Sequence, residues 1–514
     1  MRGPRRSAPA GLALSVGLAL ALAVGAGPAL SAPPEEILGP GLALGIQDDH
    51  LAVDPLATLP GRVATVASTG VSVARVDVLW SDVAPTRPVD GADPNDPAYR
   101  WARYDAVVDD FVARGIAPIL DLYRTPSWAN GGRGRQWAPN PDDYEAFVTA
   151  LARRYSGSWR DRDGVVHARA VLFEAWNEPT IPSFLSPQWQ VAPDGTATPA
   201  SPAIYATLLS RAYAAVKRVQ PDAWVIGVSG APNGSDNPPS GSMGIVTFLR
   251  ALAPLAPPMD AASQHLYPAQ APSVSVAMPS FRRLPELIAA VDAVRPGLPI
   301  LITEMGWTTA NTPFRRSFVS EAEQAANLRE AVDMLRAEPR VRLAVWFNLQ
   351  DNPDWPAGLL RADDSRKPAW DVFLGLPKRF PPPPPAEEPA PVEAAPVASP
   401  GPAQAPLAAL AGVRPAPARL RVGLVVPGAV RVGARAVVRG VARLTDGTVP
   451  AGTCVLVSGS AGRAVARVAV DRAGRCRLAL RPARPGRLGL RLRVLPRAAG
   501  VAPALSRPAV VVVR

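Results

Sequence analysis

Short apolar runs alternate with longer segments of helical periodicity through residues 42–376. Each apolar run is the length of a buried strand, and the segments between them place apolar residues at helical spacing. The predicted strands span residues 42–47, 71–78, 117–123, 168–176, 224–229, 261–267, 299–304 and 343–349. The predicted helices include residues 101–114, 141–155 with Asn140 as N-cap, 202–219 and 320–337.

This alternation places the main body in the α/β class. Strands that alternate with helices are usually parallel, and eight such units over about 335 residues fit a closed (β/α)8 barrel, the TIM barrel, better than an open sheet. A doubly wound sheet is the alternative. That fold normally carries a glycine-rich phosphate turn after its first strand, and Gly45-Ile46-Gln47-Asp48 is not such a turn.

The N-terminal segment has the features of a signal peptide. Arg2, Arg5 and Arg6 precede an apolar stretch at residues 11–24, and small residues follow at 26–32. A membrane anchor is the alternative, but the stretch is shorter than the roughly 20 residues that a bilayer-spanning helix needs. We therefore predict a signal peptide over residues 1–32 and a secreted, extracellular protein, with no membrane span after cleavage.

A composition change marks the end of the main body, which we predict as a barrel domain over residues 42–376. Residues 381–406 (PPPPPAEEPAPVEAAPVASPGPAQAP) predict an extended linker that cannot form a packed core. Residues 414–514 return to short alternating runs, which favour a small all-β, immunoglobulin-like sandwich with Asp446-Gly447 as a turn. The predicted strands there are residues 421–426, 434–444, 454–457, 464–470, 475–480 and 488–494.

The chain has two cysteines, Cys454 and Cys476, and both lie in this C-terminal part. In a protein bound for an oxidising compartment, a disulfide is the expected state of such a pair. Closing a loop of this size stabilises a domain by about 3 kcal/mol.

The C-terminal part also carries the positive charge of the chain. Residues 411–514 contain twenty arginines and two aspartates, a formal charge of about +18, whereas the whole chain carries +12 and the rest of it is therefore net negative. A basic domain of this kind fits an anionic cell-surface polymer as a possible partner. Base composition is the alternative explanation, because the whole chain has only three lysines. The last aromatic residue is Phe380, so we expect neither nucleic-acid binding nor a typical carbohydrate-binding module in this tail.

Two glutamates follow strands of the predicted barrel. Glu178 comes after the fourth strand, and Glu304 ends the seventh. Active sites of such barrels lie at the carboxyl ends of the strands, and two carboxyl groups that meet there provide what double displacement at a glycosidic bond requires. The three histidines include no HExxH helix and accompany no GxSxG elbow, so we predict no metal and no cofactor.

The residues around these glutamates resemble clan A of the glycoside hydrolases. The resemblance covers the barrel and rests on Trp176-Asn177-Glu178-Pro179, Arg75, His265-Leu266-Tyr267 and Trp346. Residues 71–85 and Thr125-Pro126-Ser127-Trp128-Ala129 are similar to families 39 and 5, and the sequence leaves both open.

The resemblance implies a role for each residue. Glu178 is the expected acid/base and Glu304 the expected nucleophile. The substrate-binding residues it implies are Arg75, Asn177, His265, Tyr267 and Trp346. Arg75 and Tyr267 would keep Glu304 ionised and correctly oriented, and Asn177 would bind the sugar 2-hydroxyl. Trp346 would form the base of the site for the reacting sugar. For Arg75 and Trp346 the alternative is a purely structural role. For His265 it is a structural hydrogen bond.

Twelve tryptophans lie between residues 80 and 370. Several of them, including Trp128, fall in predicted loops at the carboxyl ends of the barrel strands. Aromatic rings stack on sugar faces, so we predict a polysaccharide or oligosaccharide substrate. A non-catalytic binding protein and a retaining transglycosylase are the alternatives to hydrolysis.

Overall fold

The computed structural model describes residues 32–383, except 233, 237, 239, 240, 313 and 314, and a set of strand segments between 420 and 513. The chain divides into two compact units, Met1–Ala390 and Pro391–Arg514. The predicted signal peptide before Ala32, most of the proline-rich segment and the Asp446-Gly447 turn lie outside the described residues. Within the described part, no helix is long and apolar enough to cross a bilayer.

The first unit is a closed barrel of eight parallel strands, as the sequence predicts. The strand order around the barrel is β1-β10-β9-β8-β7-β4-β3-β2, so the doubly wound alternative is wrong. The barrel strands are β1 (Ala43–Gln47), β2 (Val73–Leu79), β3 (Ala117–Tyr123), β4 (Leu172–Ala175), β7 (Trp224–Gly230), β8 (Ala261–Leu266), β9 (Ile300–Met305) and β10 (Val341–Trp346). The loop after β4 carries a small antiparallel hairpin of β5 (Trp189–Val191) and β6 (Ala197–Pro199).

The four helices whose bounds the sequence predicts are present to within one residue: α5 (Ala102–Ala113), α6 (Pro141–Arg154), α7 (Ser201–Val219) and α10 (Glu321–Arg336). The first unit also contains α1 (Pro34–Leu38), α2 (His50–Val53), α3 (Leu59–Ser68), α4 (Trp80–Val83), α8 (Ile245–Leu252), α9 (Leu284–Asp292) and α11 (Pro368–Gly375).

Local sequence explains where these helices begin. The Asn140 side chain accepts a hydrogen bond from the Asp142 amide and Pro141 occupies the first turn, so α6 begins as predicted. A capping box of Ser320 and Glu323 opens α10. The fourth strand is shorter than predicted and spans Leu172–Ala175; just before it, the Val171 carbonyl accepts a hydrogen bond from the Trp224 amide of β7.

In the second unit, β strands form two principal sheets. One contains β11 (Leu420–Val425), β13 (Ala436–Leu444) and β16 (Arg475–Leu480). The other contains β12 (Ala429–Val430), β14 (Gly452–Ser458), β15 (Arg463–Ala469), β17 (Gly486–Pro496), β18 (Ala504–Leu505) and β19 (Ala509–Val513).

The predicted disulfide between Cys454 and Cys476 is confirmed and joins β14 to β16, with Cα atoms 6.4 Å apart. Both cysteines belong to a buried cluster with residues such as Val438, Leu478 and Leu492. The unit is all-β in its described segments. The immunoglobulin-like topology stays a prediction, because the connections between these strands lie outside the described residues.

Candidate active site

A cleft of about 670 Å³ opens at the carboxyl ends of the barrel strands. Asn177 and Glu178 enter it from the loop after β4, Tyr267 from the end of β8, and Glu304 from β9. The fourth and seventh barrel strands therefore present the two predicted glutamates to one cavity. Residues that line the cleft include Gln47, Asp49, Asp77, Tyr123, Phe347 and Trp355.

The fully buried guanidinium of Arg75 lies beneath this cleft. Its Nε donates to Glu174 at 2.5 Å, one terminal nitrogen donates to Asp121 at 2.8 Å, and the other donates to Glu304 at 2.7 Å. It also donates to Asn177 Oδ1 at 2.8 Å, which fixes that amide beside the glutamates. A buried charge needs this degree of pairing, and Arg75 thereby sets the position of two cleft residues at once.

Glu304 is held by donors at both carboxylate oxygens. Arg75 binds Oε1, and the Tyr267 hydroxyl donates to Oε2 at 2.6 Å. The His265 Nδ1 lies 3.3 Å from the same Oε2. Burial raises the pKa of Glu304, although His265, Arg75 and Tyr267 act to lower it. Arg75 and Tyr267 thus orient the carboxylate, while burial disfavours its ionised form; their part in catalysis stays a prediction.

Glu178 has a different environment. Its Oε1 lies 2.9 Å from His265 Nδ1, its side chain is largely buried, and its backbone adopts a positive φ of 40°. Burial raises the pKa of Glu178 to about 8, against the lowering effect of Arg75. The carboxyl group is therefore protonated at neutral pH, which is the state that a general acid requires.

The two glutamates are close enough to act on one bond. A carboxylate oxygen of Glu178, one of Glu304 and a ring nitrogen of His265 all lie within 4.8 Å of one another. Retaining glycosidases place their carboxyl groups about 5–5.5 Å apart, whereas inverting enzymes leave a gap of roughly 6.5–9.5 Å. These two oxygens and the ring nitrogen also have the spacing of metal ligands. Arg75, however, already places a positive charge beside Glu304. The predicted absence of a metal stays a prediction.

Trp346 does not lie where the resemblance implied. It is fully buried, its ring packs 6.1 Å from that of Trp307, and it does not line the cleft. Successive side chains of a strand point to opposite faces, so the next residue, Phe347, faces the cavity instead. Trp355 from the following loop lies beside it, with its ring centroid 5.0 Å from that of Tyr267. Phe347 and Trp355 therefore form part of the aromatic lining of the cleft, together with Tyr123, Phe184 and Tyr267.

Trp128 also lies away from the cleft. Its Nε1 donates to the Ala84 carbonyl at 2.7 Å, and the Arg87 guanidinium lies 4.7 Å above its ring. It is absent from the residues that line the cavity. These contacts give Trp128 a role in loop packing.

Several cleft residues, Asp77 among them, escape the sequence reasoning. Asp77 lies two residues after Arg75 on β2, so the strand period of two could have placed it on the same face. Asp49 lines the cleft and accepts from Gln47 at 3.1 Å and from Asn352 at 2.9 Å. Its neighbour Asp48 does not line the cleft and pairs with Arg62 at 2.6 Å. No local pattern predicts the Asn352 contact, because it spans 303 positions along the chain.

Comparison with known proteins agrees with this geometry. The model of the cellulase family, glycosyl hydrolase family 5, matches residues 60–352. A β-xylosidase from Geobacillus stearothermophilus is 28% identical over 200 residues, which are 38% of this chain and 36% of that protein. The chain thus spans about a third of the length of this curated relative.

Two solved structures are similar to part of this chain at low identity. The endo-1,4-β-mannanase of Rhizomucor miehei is 13% identical, covering 65% of this chain and 95% of its own, with a TM-score of 0.42. An endo-β-1,3-glucanase from Sorangium cellulosum is 15% identical, covering 65% of this chain and 98% of its own, with a TM-score of 0.38. Of the two families that the sequence left open, the family match selects one: this chain belongs to the cellulase family, glycosyl hydrolase family 5.

Proposed function

We propose that the protein is a retaining β-glycoside hydrolase that cleaves an oligo- or polysaccharide by double displacement. The observation that carries the proposal is the separation of Glu178 and Glu304, whose nearest oxygens lie within 4.8 Å. Their surroundings differ in the way that the two roles require. Glu178 has a pKa of about 8, and its carboxyl group contacts His265 at hydrogen-bond distance. The Glu304 carboxylate instead accepts hydrogen bonds from both Arg75 and Tyr267.

In the first step, a Glu304 oxygen attacks the anomeric carbon while Glu178 gives its proton to the glycosidic oxygen. The bond between that carbon and that oxygen breaks, the leaving group departs as an alcohol, and an ester joins the sugar to Glu304. In the second step, ionised Glu178 takes a proton from water, which attacks the same carbon and releases Glu304 as a carboxylate. Two inversions give overall retention.

The contacts of Arg75 suit this cycle. When Glu304 becomes an ester it loses its charge, but Arg75 keeps its bonds to Glu174 and Asp121. The guanidinium therefore stays paired and in place throughout both steps. Asn177, held by the same guanidinium, can present its amide N–H to the sugar 2-hydroxyl, an interaction that strengthens toward the transition state.

The charges of the cleft favour an uncharged sugar. Burial raises the pKa of Asp49 well above its usual value, and the carboxylates of Asp77 and Glu304 raise it further. A uronic acid bound here would add another carboxylate to the same negative field. Phe347 and Trp355 provide ring faces for stacking.

We also propose that the protein is secreted and that its basic tail binds an anionic cell-surface polymer. The arginine-led apolar segment and the Cys454–Cys476 disulfide support secretion. Arg475 and Arg477 are exposed on β16, which supports binding of an anionic polymer by the C-terminal tail. Mass spectrometry of the exported protein tests the first proposal through its N-terminus. Salt-dependent sedimentation with cell-wall polymer, with and without residues 391–514, tests the second.

The test of the hydrolase is a panel of β-linked polysaccharides and neutral aryl β-glycosides, followed by NMR of the first-formed anomer. We expect a retained anomer and loss of activity in Glu178→Gln and Glu304→Gln. Glu286→Gln, on the exposed face of α9, is the matched control. Azide should rescue Glu178→Ala and yield a β-glycosyl azide. Binding of polymer without cleavage by the wild type would favour the non-catalytic alternative, and products longer than the substrate would indicate transglycosylation.

A further inference from the structure

A buried serine contacts His265 from the side away from the two glutamates. Ser229, at the end of β7, places its Oγ 3.2 Å from His265 Nε2. Both residues are fully buried. The other ring nitrogen, Nδ1, faces Glu178 Oε1 at 2.9 Å and Glu304 Oε2 at 3.3 Å.

The carboxyl oxygens determine which ring nitrogen carries the proton. Two oxygens around Nδ1 require a hydrogen there, because a lone pair in that position would face the charge of Glu304. Burial lowers the pKa of His265, so the ring is neutral and Nε2 has no hydrogen. The Ser229 hydroxyl is then the donor that satisfies Nε2.

The backbone at Ser229 is held in an unusual conformation to achieve this contact. Val228 and Ser229 have φ values of 76° and 41°, and the pairing of β7 with β8 shifts register between Gly227 and Gly230. Consecutive positive φ angles in residues with side chains are strained and persist where surrounding contacts impose them. Here the Val228 amide donates to the Tyr205 hydroxyl at 2.7 Å, and the Ser229 amide donates to Ser263 Oγ at 3.0 Å.

We propose that Ser229 is a positioning residue that holds His265 as the neutral tautomer protonated on Nδ1. The Nδ1–H then donates a hydrogen bond to Glu178 Oε1. The acidic proton of the Glu178 carboxyl group therefore resides on Oε2, where it remains available to the substrate. In the opposite tautomer, Nδ1 would accept that proton and withhold it. This inference rests on the proposed function for its catalytic consequence, but the tautomer itself can be observed without substrate.

The first measurement is ¹⁵N NMR of protein labelled at histidine. The chain has three histidines, so variants at His50 and His167 assign the His265 signals. We expect a protonated Nδ1 and a bare Nε2 in the wild type between about pH 5 and 8. The titratable and charged groups around the ring are Glu178, Glu304, Glu174, Asp77 and Arg75. A proton on Nε2 in the wild type would overturn the proposal.

The second measurement uses Ser229→Ala and Ser229→Gly, which both remove the hydroxyl, while only the glycine also relieves the positive φ. We expect mixed tautomers and a kcat lower by about tenfold in both variants, with KM nearly unchanged, because a buried acceptor is left unpaired. Ser280→Ala removes another buried serine hydroxyl, which donates to the Ser275 carbonyl, and is the control.

The two readouts must change together. A fall in kcat with an unchanged His265 spectrum, or a changed spectrum with wild-type kcat, would refute the positioning role. If no substrate is found, the spectra of the wild type and the two variants still decide the tautomer, so failure of this inference and failure of the hydrolase proposal are distinguishable.

Discussion

Two buried ionic clusters of the barrel unit contain the same residue types and arrange them for different purposes. At the carboxyl ends of the strands, Arg75 and His265 surround the cleft carboxylates. Before the start of β4, Arg154 and His167 meet Asp105, Asp109 and Asp161. The first cluster opens onto a cavity, and the second connects α5 and α6 to the chain that leads into β4.

The histidines show the difference most clearly. Burial lowers the pKa of His265 although Glu304 acts to raise it. Burial also lowers that of His167, but the carboxylates of Asp109 and Asp105 outweigh it and raise the pKa above its usual value. Burial therefore favours the neutral form of the His265 ring, whereas the neighbouring carboxylates favour the charged form of the His167 ring. Environment, and not residue type, separates the active site from the structural brace.

The largest difference between the clusters should appear in activity. Glu178→Gln should lower kcat/KM by about 10²–10⁴-fold, the usual contribution of a general acid. In the wild type, activity should fall as pH rises through about 8, because the acid form of Glu178 is lost. The variant should lack that basic limb. Asp105→Asn, in the other cluster, should leave the profile unchanged; a basic limb that persists in Glu178→Gln would assign it to another group.

Removal of the central arginines should destabilise both clusters unequally. Arg75→Met leaves Glu174, Asp121 and Glu304 without their counter-charge in a fully buried site, and should lower the free energy of unfolding by about 3–5 kcal/mol. Arg154→Met should cost less, because its partner Asp105 is partly exposed. Urea denaturation of both variants checks the order, and equal losses would contradict it.

Substrate selectivity should depend on the cleft carboxylates. At alkaline pH, where the Asp49 carboxyl is ionised despite its raised pKa, Asp49→Asn removes a negative charge from the cleft wall and should raise the ratio of uronide to neutral glycoside turnover by about tenfold. Parallel kcat/KM measurements on a matched β-glucoside and β-glucuronide give this ratio. Asp48→Asn is the control, since Asp48 pairs with Arg62 away from the cavity. A wild type that prefers the uronide would reverse the interpretation of the cleft.

The smallest effect should be the pH dependence of the structural cluster. Since the folded-state pKa of His167 is raised, its ion pairs contribute fully below the unfolded pKa, and the contribution is lost as pH rises through the folded pKa. For a pair with Asp109, which is partly exposed, this amounts to about 1 kcal/mol or less. The Tm difference between wild type and His167→Gln should therefore be larger at acidic than at alkaline pH. A constant difference would indicate that the ring is neutral in the fold.

Sequence reasoning succeeded where a local pattern carries the information. Eight apolar runs predicted eight barrel strands, and the ends of two of them placed Glu178 and Glu304 at one cleft. The prediction for Trp346 was wrong. The resemblance indicates that a tryptophan stands at the end of this strand, but it does not indicate whether the side chain faces the cleft or the core. The next residue, Phe347, occupies the cavity wall.

Contacts between distant parts of the chain could not be predicted from the sequence, because they form only when the folded backbone brings the partners together. Ser229 reaches His265 through a backbone distortion with no compositional sign, and Asp49 meets Asn352 only when the barrel closes. Polar partners of this kind depend on distances of a few tenths of an ångström, which periodicity does not encode.

The central claim is that Glu178 and Glu304 act as the acid/base and the nucleophile of a retaining hydrolase. The most direct measurement is the anomeric configuration of the first-formed product on a neutral β-glycoside, followed by NMR, with Glu178→Gln and Glu304→Gln in parallel. The account predicts a β-anomer that mutarotates afterwards, and loss of the reaction in both variants. An α-anomer formed first, or wild-type turnover in either variant, would contradict it.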